Sequence, residues 1–211
     1  MILYDYPGAP NPRRVKIFAA EKQIALEHVL CDMGKREHKS DAFLAKNPSG
    51  KIPVLELDDG RTIPESIAIC RYLEAVKPEP NLFGGDAYEQ AIVDAGNRRI
   101  ELELFSQIGT SWVNGPIVAK MGLVKPNAEA KAASDINVHR YYERLDQEFG
   151  HTTYVAANRY SVADITLLCA VDFATRLVGL KPDAGLTNLW AWHERVAQRP
   201  AVVQNPDGPG S

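Results

Sequence analysis

Residues 47–66 read NPSGKIPVLELDDGRTIPES, and this stretch decides how the rest of the chain is interpreted. Its two apolar runs, PVLELDD and RTI, are separated by Asp59-Gly60, a dipeptide typical of the turn in a β-hairpin. Pro53 stands at the first position of the earlier run, where a residue without a backbone N–H is tolerated in a strand. The stretch therefore predicts two paired strands with an edge at Pro53.

Both ends of this hairpin carry groups that fit an extended, charged ligand. Next to Pro53, the backbone N–H and carbonyl of Ile52 are free to pair with an extended ligand as another strand does. Glu65 and Ser66 stand where the next helix begins, and a helix N-terminus with a hydroxyl favours a carboxylate, while a neighbouring acid can hold an ammonium. The pair predicts a site for an α-amino acid head group, with plain capping of the helix as the alternative.

Residues 1–77 alternate short strands with helices. The segments MILYD and LEHVLC predict strands, and PNPRRVKIFAAEK predicts a helix in which Asn11 is the cap and Pro12 is the first helical residue. Ser40-Asp41 opens a short helix through AFLAKN, and ESIAICRYLEAV predicts the helix that follows the hairpin. The resulting order, βαβαββα, predicts one α/β domain.

The remainder of the chain predicts helices only. Residues 78–86 are rich in Pro and Gly and predict a linker, so we expect an all-helical domain at 87–205 and a flexible tail at 206–211. Ser161 and Asp164 have the spacing of a capping box and predict a helix start. Helical spacing predicts three buried faces: Ile92, Ala95, Leu102, Phe105 and Trp112; Val138, Tyr141, Leu145 and Phe149; Leu189, Trp192 and Val196.

Composition argues against several classes of function. The net charge of −3 gives no electrostatic reason to bind nucleic acid. No run approaches about 20 apolar residues, and no basic lead precedes an apolar run, so we expect neither a membrane span nor a signal peptide and a cytoplasmic location. Cys31, Cys70 and Cys169 stand far apart in apolar runs, which predicts buried thiols rather than a disulfide framework or a metal site.

The hairpin, the linker and the helical motifs SVADITLL and NLWAWHERVAQRPAV together resemble the soluble glutathione transferase superfamily, and the resemblance spans almost the whole chain. It implies a thioredoxin-like βαβαββα domain that binds glutathione, followed by an all-helical domain. By position, Ile52 would pair through its backbone with the cysteinyl part of glutathione, and Pro53 would be cis. Glu65 and Ser66 would hold the γ-glutamyl end.

The resemblance also assigns the other end of glutathione. His38, in KREHKS, and Lys51 align with positions that often meet the glycine carboxylate. Arg13 and Arg14 begin the first helix near the same edge, but a solvated face or a salt bridge between the two domains is the commoner fate of two such cations. We therefore assign no ligand role to Arg13 or Arg14.

The chain departs from the family where the catalytic hydroxyl or thiol usually stands. Theta- and delta-like relatives carry serine at the position of Ala9, whereas an atypical bacterial and yeast-type subgroup has a small residue there. The thiolate of glutathione then needs another donor: the side-chain amide of Asn11, the positive end of the helix at Pro12, Tyr6, or a water held by the helical domain. We take Asn11 as the catalytic candidate, with a plain N-cap as its alternative. The residues that would hold such a water are Ser106, Thr110, Ser111 and Asn114.

We therefore predict a glutathione transferase that conjugates the thiol of glutathione to a small electrophilic molecule in detoxification, without a metal and without nucleic acid or membrane as a partner. The alternatives are a glutathione-dependent peroxidase, lyase or isomerase on the same scaffold, and a noncatalytic module that binds glutathione. The resemblance also implies a homodimer. Its interface would include the long helix after the linker, with Arg98, Arg99 and Glu101 as candidates to reach across it.

Overall fold

The computed structural model describes residues 1–122, 124–206 and 208, and these residues form two compact units. The first unit contains Met1–Leu82 together with the described residues from Pro200 onward, and the second contains Phe83–Arg199. A short last helix, Pro200–Val203, belongs to the first unit, although the sequence suggested a helical domain that runs to residue 205.

The first unit is built on a four-stranded sheet with the strand order β2-β1-β3-β4. Strands β1 and β2 are parallel, and the pairs β1/β3 and β3/β4 are antiparallel. The strands are β1 (Ile2–Asp5), β2 (Glu27–Leu30), β3 (Val54–Glu56) and β4 (Thr62–Pro64). The helices are α1 (Pro10–Glu21), α2 (Asp41–Leu44) and α3 (Ser66–Val76), and a 3-10 turn covers Glu37–Lys39. The thioredoxin-like order βαβαββα is confirmed.

The side chains of each strand alternate between the two faces of the sheet, and both faces are covered. Tyr4 and Val54 pack with Phe43 of α2 and with Cys31 on one face. The neighbouring strand residues Leu3 and Leu55 are fully buried on the other face. This second face is where α1 and α3 pack side by side.

The start of α1 differs from the prediction. The helix begins at Pro10, its N-cap is Ala9 in an extended conformation, and no side chain caps it. The fixed φ of proline suits the first helical position, and Pro10 takes that position with an extended Ala9 before it. Asn11 is already helical, although it also precedes a proline. Asn11 is therefore the second helical residue, and its assignment as an N-cap was wrong.

The second unit is entirely helical. Its elements are α4 (Ala87–Arg99), a π-helical segment (Ile100–Phe105), α5 (Ser106–Val113), α6 (Pro116–Lys120), α7 (Ala128–Phe149), α8 (Val162–Phe173), a second π-helical segment (Ala174–Val178) and α9 (Thr187–Ala197). The helix in the first unit that follows them is α10 (Pro200–Val203). Nearly every residue of α8 is buried, so α8 forms the centre of this unit. The predicted capping box of Ser161 and Asp164 begins α8 and is confirmed.

Two of the three predicted helix faces are confirmed, and one is wrong. The faces on α7 and α9 are buried apart from a partly exposed Phe149. On α4 to α5 the predicted Leu102 is 63% exposed. The buried series there includes the polar Asn97, whose side-chain oxygen accepts a hydrogen bond from Thr166 Oγ1 at 2.6 Å. The prediction followed apolar residues only, and it therefore missed a buried face that also contains polar residues. The buried residues of this face are Val93, Asn97, Ile100, Leu104, Ile108 and Ser111.

No helix within the described ranges combines the length and the apolar character that crossing a membrane would require.

Candidate functional site

The strand register brings the predicted binding residues to one end of the sheet. Val54 pairs with Tyr4 on β1 and with Pro64 on β4, so the residues just outside this row lie next to one another. These are the loop after β1, the Ile52-Pro53 dipeptide, and Glu65 with Ser66. Strand β2 is parallel to β1 and ends at the same side, where the chain continues toward His38. The hairpin stretch and the loop after β1 therefore form one candidate site.

Two side chains from earlier in the sequence hold the segment before β3 by hydrogen bonds to its carbonyl groups. Asn47 Nδ2 donates to the carbonyl of Lys51 at 2.7 Å, and Lys39 Nζ donates to the carbonyl of Gly50 at 3.1 Å. The Ile52-Pro53 peptide bond is cis. Within the described residues the backbone N–H and carbonyl of Ile52 make no hydrogen bond. They are therefore available to an extended ligand.

Glu65 and Ser66 do not simply cap α3. Glu65 is the N-cap residue, but its side chain makes no capping hydrogen bond. Its backbone has φ 67° and ψ 115°, in a region that non-glycine residues rarely occupy. Strained residues of this kind cluster at functional sites. Its carboxylate is exposed and bonds to no described residue. Ser66 is the first residue of α3 and is buried, so an exposed acid and a buried hydroxyl stand side by side.

Arg14 bonds to one of the candidate site residues, a contact that the sequence analysis did not predict. Its guanidinium Nη1 donates to Ser66 Oγ at 2.7 Å, and only 1% of the residue is exposed. Arg13 is also buried, and its Nε donates to the carbonyl of Asn205 at 2.9 Å. The solvated face, one of the two fates expected for this pair, is wrong because both residues are buried. A signal was present: position 14 precedes Ile17 and Phe18 by three and four residues, which places it on the helix face that packs inward.

Asn11, the predicted catalytic residue, lies at the start of α1, directly after the loop that follows β1. The side chain of Asn11 is partly buried, and no described residue accepts or donates a hydrogen bond to its amide. Pro10 and Pro12 have no backbone N–H, so Asn11 carries the only backbone N–H among the first three residues of α1. The preceding turn is closed by a hydrogen bond from Ala9 N to the carbonyl of Tyr6 at 3.1 Å. Tyr6 remains partly exposed on that turn.

His38 and Lys51 are neighbours across the Gly50 turn. A Cβ atom added to Gly50 would lie 2.8 Å from the carbonyl oxygen of His38, so this backbone runs against the segment that carries Lys51. Burial, with smaller contributions from Lys39 and Arg36, lowers the pKa of His38. Its Nδ1 atom is buried and has no hydrogen-bond partner in the described part of the chain. Lys51 is exposed.

The helical residues proposed to hold a water are already hydrogen-bonded within their own unit. Ser106 Oγ and Thr110 Oγ1 each donate to the backbone carbonyl four residues earlier, at 2.5 and 3.1 Å. Ser111 Oγ donates to Asp135 Oδ1 at 2.5 Å. The amide of Asn114 donates to the carbonyl of Thr110 and accepts from the backbone N–H of Asn127. Ser106 and Thr110 therefore bond within their own helical stretch, whereas Ser111 and Asn114 connect α5 to the start of α7.

The other chemical groups give no metal or redox centre in the described ranges. All three cysteines are buried and lie outside any disulfide, as predicted. No group of three or more His, Cys, Asp and Glu side chains with metal-binding geometry occurs among the described residues.

The charged residues proposed for a dimer interface are partly used inside the chain. Arg99 makes a two-pronged ion pair with Glu148, at 2.7 and 3.0 Å, so its guanidinium is engaged within the chain. Glu101 accepts a hydrogen bond from Asn97 Nδ2 at 3.1 Å. Arg98 is exposed.

The family models for two domains match this chain in the order that the fold shows. The glutathione S-transferase N-terminal domain matches residues 3–81, and the glutathione S-transferase C-terminal domain matches residues 105–200. Glutathione S-transferase 2 of Saccharomyces cerevisiae is 36% identical over 208 residues, which cover 96% of this chain and 88% of that protein. The similarity to this relative therefore spans most of both chains.

Solved structures give the same result. The crystal structure of Gtt2 from Saccharomyces cerevisiae has a TM-score of 0.89 at 35% identity and covers 98% of this chain and 100% of its own. A class Gtt2 glutathione S-transferase of Vibrio parahaemolyticus has a TM-score of 0.83 at 30% identity, with coverages of 96% and 95%. The relatives also include a probable elongation factor 1-gamma 1 of Arabidopsis thaliana, 28% identical over 83% of this chain and 41% of that protein. This chain belongs to the glutathione S-transferase superfamily.

Proposed function

We propose that this protein binds glutathione at the end of the sheet and conjugates it, through its sulfur, to a small electrophilic molecule. The observation that carries the proposal is the pair formed by the exposed carboxylate of Glu65 and the buried hydroxyl of Ser66 at the start of α3. An α-amino acid head group carries an ammonium and a carboxylate, and these two side chains offer a partner to each. The γ-glutamyl end of glutathione is such a head group.

The remaining contacts follow the length of the tripeptide. The free backbone groups of Ile52 pair with the cysteinyl residue as an added strand does. His38 and Lys51 receive the glycine carboxylate; because the pKa of His38 is lowered, its neutral ring contributes a hydrogen bond and Lys51 contributes the charge. In this arrangement the cysteinyl sulfur lies toward the loop after β1, where Asn11 offers its N–H groups.

Thiolate formation is the chemical contribution expected of Asn11. A model cysteine thiol has a pKa of about 8.5 and is only a few per cent ionised at neutral pH. One hydrogen bond to the anion is worth about 1.5–3 kcal/mol, which lowers the thiol pKa by about one to two units. The thiolate then attacks the electrophilic carbon, forms a C–S bond and displaces a leaving group, so the protein contributes proximity and stabilisation of the anion.

The Asn11→Ala variant tests this role. We expect the pKa of bound glutathione to rise by about one unit, and the conjugation rate below that pKa to fall about tenfold, because one hydrogen bond to sulfur is lost. The pKa is read from the thiolate ultraviolet absorbance as pH is changed, and the rate is measured with a halonitroaromatic substrate.

Ser66→Ala is the matched control, since it removes a hydroxyl from the other end of the ligand. It is expected to weaken glutathione binding while leaving the pKa of the bound thiol unchanged. A bound pKa equal to that of free glutathione in the unchanged protein would contradict thiolate activation. In that case a noncatalytic binding role is favoured, which Ala9 and the similarity to proteins named elongation factor 1-gamma already make the second candidate.

We also propose that two copies associate through a groove on the helical unit. This groove has a volume of about 370 Å³ and is lined by polar side chains: Glu103, Gln107, Asn137, Arg140, Tyr141 and Arg144. Next to its lining in sequence stand two exposed apolar residues, Leu102 at 63% and Ile136 at 53%. Large exposed apolar side chains are the groups that gain most free energy when a second copy removes them from water.

Charge substitutions test this association. We expect the unchanged protein to show twice the mass of one chain in light scattering, and Leu102→Glu combined with Ile136→Glu to shift it to a single chain, because two buried carboxylates would repel across the interface. Val203→Glu, an equally exposed residue of the first unit at 64%, is expected to leave the mass unchanged. A dimer that survives the paired substitution would contradict this choice of surface.

A further inference from the structure

The contact between Arg14 and Ser66 connects two helices directly behind the candidate site. Arg14 lies in the second turn of α1, and Ser66 is the first residue of α3. The Nη1–Oγ distance is 2.7 Å, and both residues are at least nine-tenths buried, at 1% and 5% exposure. A hydrogen bond this short from a cation to a buried hydroxyl is a strong and fixed interaction.

This bond determines which way the hydroxyl of Ser66 can donate. A serine hydroxyl has one proton and two lone pairs, and a guanidinium only donates. Because Arg14 occupies a lone pair, the hydroxyl proton is directed away from the guanidinium and is available to an acceptor. A hydroxyl that accepts from a cation is also polarised and donates more strongly to an anion.

The chemistry of the acceptor follows from the charges around this hydroxyl. The guanidinium places a positive charge behind Ser66, and the start of an 11-residue helix adds the positive end of its dipole. A carboxylate gains from both charges, whereas an ammonium is repelled by both. Glu65, one residue earlier and exposed, is the group that suits the ammonium.

We propose that Arg14 is a positioning residue: acting through Ser66, it makes the α-carboxylate of the γ-glutamyl group the feature by which this protein selects glutathione. This inference rests on the proposed function, because it assigns a role within the same glutathione site. Arg14 need not touch the ligand, and its effect is specific for one ligand group.

Removing the carboxylate from the ligand tests the inference. The probes are glutathione and its decarboxylated analogue, 4-aminobutyryl-cysteinylglycine, which keeps the amine and the thiol; their dissociation constants are measured by calorimetry. We expect the unchanged protein to bind glutathione about 10- to 100-fold more tightly than the analogue, since a hydrogen bond to a charged group is lost. In Arg14→Met the affinity for glutathione should fall at least about tenfold, and the ratio of the two affinities should approach one.

Arg13→Met is the matched control. Arg13 is the neighbouring buried arginine of the same helix, but its Nε donates to the carbonyl of Asn205 rather than to Ser66. The change from Arg to Met is chemically identical, so any general loss of stability appears in both variants. We expect Arg13→Met to keep the preference for glutathione over the analogue.

The outcomes separate the inference from the proposed function. If the unchanged protein binds neither glutathione nor the analogue, the proposed function fails. If it binds glutathione but Arg14→Met weakens both ligands equally, Arg14 is merely structural and the inference is overturned. If Arg14→Met does not fold, Arg14→Lys replaces it: we expect about a three- to tenfold smaller preference, because lysine keeps the charge but not the planar donor geometry, and an unchanged preference overturns the inference.

Discussion

Replacing Asp164 with alanine is expected to lower the free energy of unfolding by about 3–5 kcal/mol, because it leaves several buried donors without an acceptor. The Asp164 carboxylate is fully buried. Its Oδ1 accepts from the backbone N–H of Val155 at 3.0 Å and from Trp192 Nε1 at 2.9 Å, and its Oδ2 accepts from the backbone N–H of Ser161 at 3.0 Å. Asp164 thereby joins the start of α8 to α9 and to the segment before α8. The loss is measured by urea unfolding followed by tryptophan fluorescence.

Asp164→Asn separates the hydrogen bonds from the charge. Its amide oxygen can keep the bonds to Val155 and Trp192, and its amide nitrogen can donate to Ser161 Oγ, so only the bond from the Ser161 N–H is lost. We therefore expect a smaller loss, about 1–3 kcal/mol. An Asp164→Ala protein as stable as Asp164→Asn would contradict this account of the three donors.

We also expect the difference in stability between the unchanged protein and Asp164→Asn to depend on pH. Burial raises the pKa of Asp164 to about 6 from its ordinary value of 3.8, against the effect of its hydrogen bonds. A folded-state pKa above the unfolded one means that the folded protein binds the proton more tightly, so the stability from this group is present below pH 4 and lost as pH rises to 6. Relative to Asp164→Asn, the unchanged protein should lose about 3 kcal/mol over this interval.

The sequence predicts local features of this protein better than it predicts buried charge. The hairpin around Asp59-Gly60 and the capping box at Ser161 depend on residues close together in the chain, so their patterns are visible without the fold. The positions of Glu65 and Ser66 beside Ile52 follow from the same hairpin. These features were sufficient to predict the fold and the residues at the end of the sheet.

The buried polar contacts could not be predicted in this way, because each depends on a partner distant in sequence. Arg14 and Ser66 are 52 residues apart, and Asn97 and Thr166 are 69 apart. An arginine or asparagine taken alone is expected at the surface, and it becomes tolerable inside only when the fold supplies the matching group. The wrong helix face at Leu102 and the missed role of Arg14 have this common origin.

Lys22 is another buried cation, and it joins the C-terminal ends of α1 and α3. It follows α1, its side chain is fully buried, and its ammonium donates to the carbonyls of Pro78 and Pro80 at 2.9 and 2.6 Å. It also forms an ion pair with Glu74, near the end of α3. Lys22 lies eight residues after Arg14, and Glu74 lies eight residues after Ser66. Because the earlier residues contact each other and the later residues contact each other, α1 and α3 run parallel and are joined at both ends.

We expect Lys22→Met to lower the free energy of unfolding by about 3–5 kcal/mol, because it leaves the mostly buried Glu74 carboxylate and two carbonyls without their cation. Lys35→Met is the matched control: Lys35 is 76% exposed, its pair with Asp32 spans 3.4 Å, and its loss should cost less than about 1 kcal/mol. In Lys22→Met combined with Glu74→Gln, part of the stability should return, since no buried charge is left alone. Equal effects of Lys22→Met and Lys35→Met in urea unfolding would refute this role.

Because Lys22 lies at the end of α1 remote from Ser66, Lys22→Met should still prefer glutathione over its decarboxylated analogue. This result would distinguish a stabilising cation from the positioning role of Arg14.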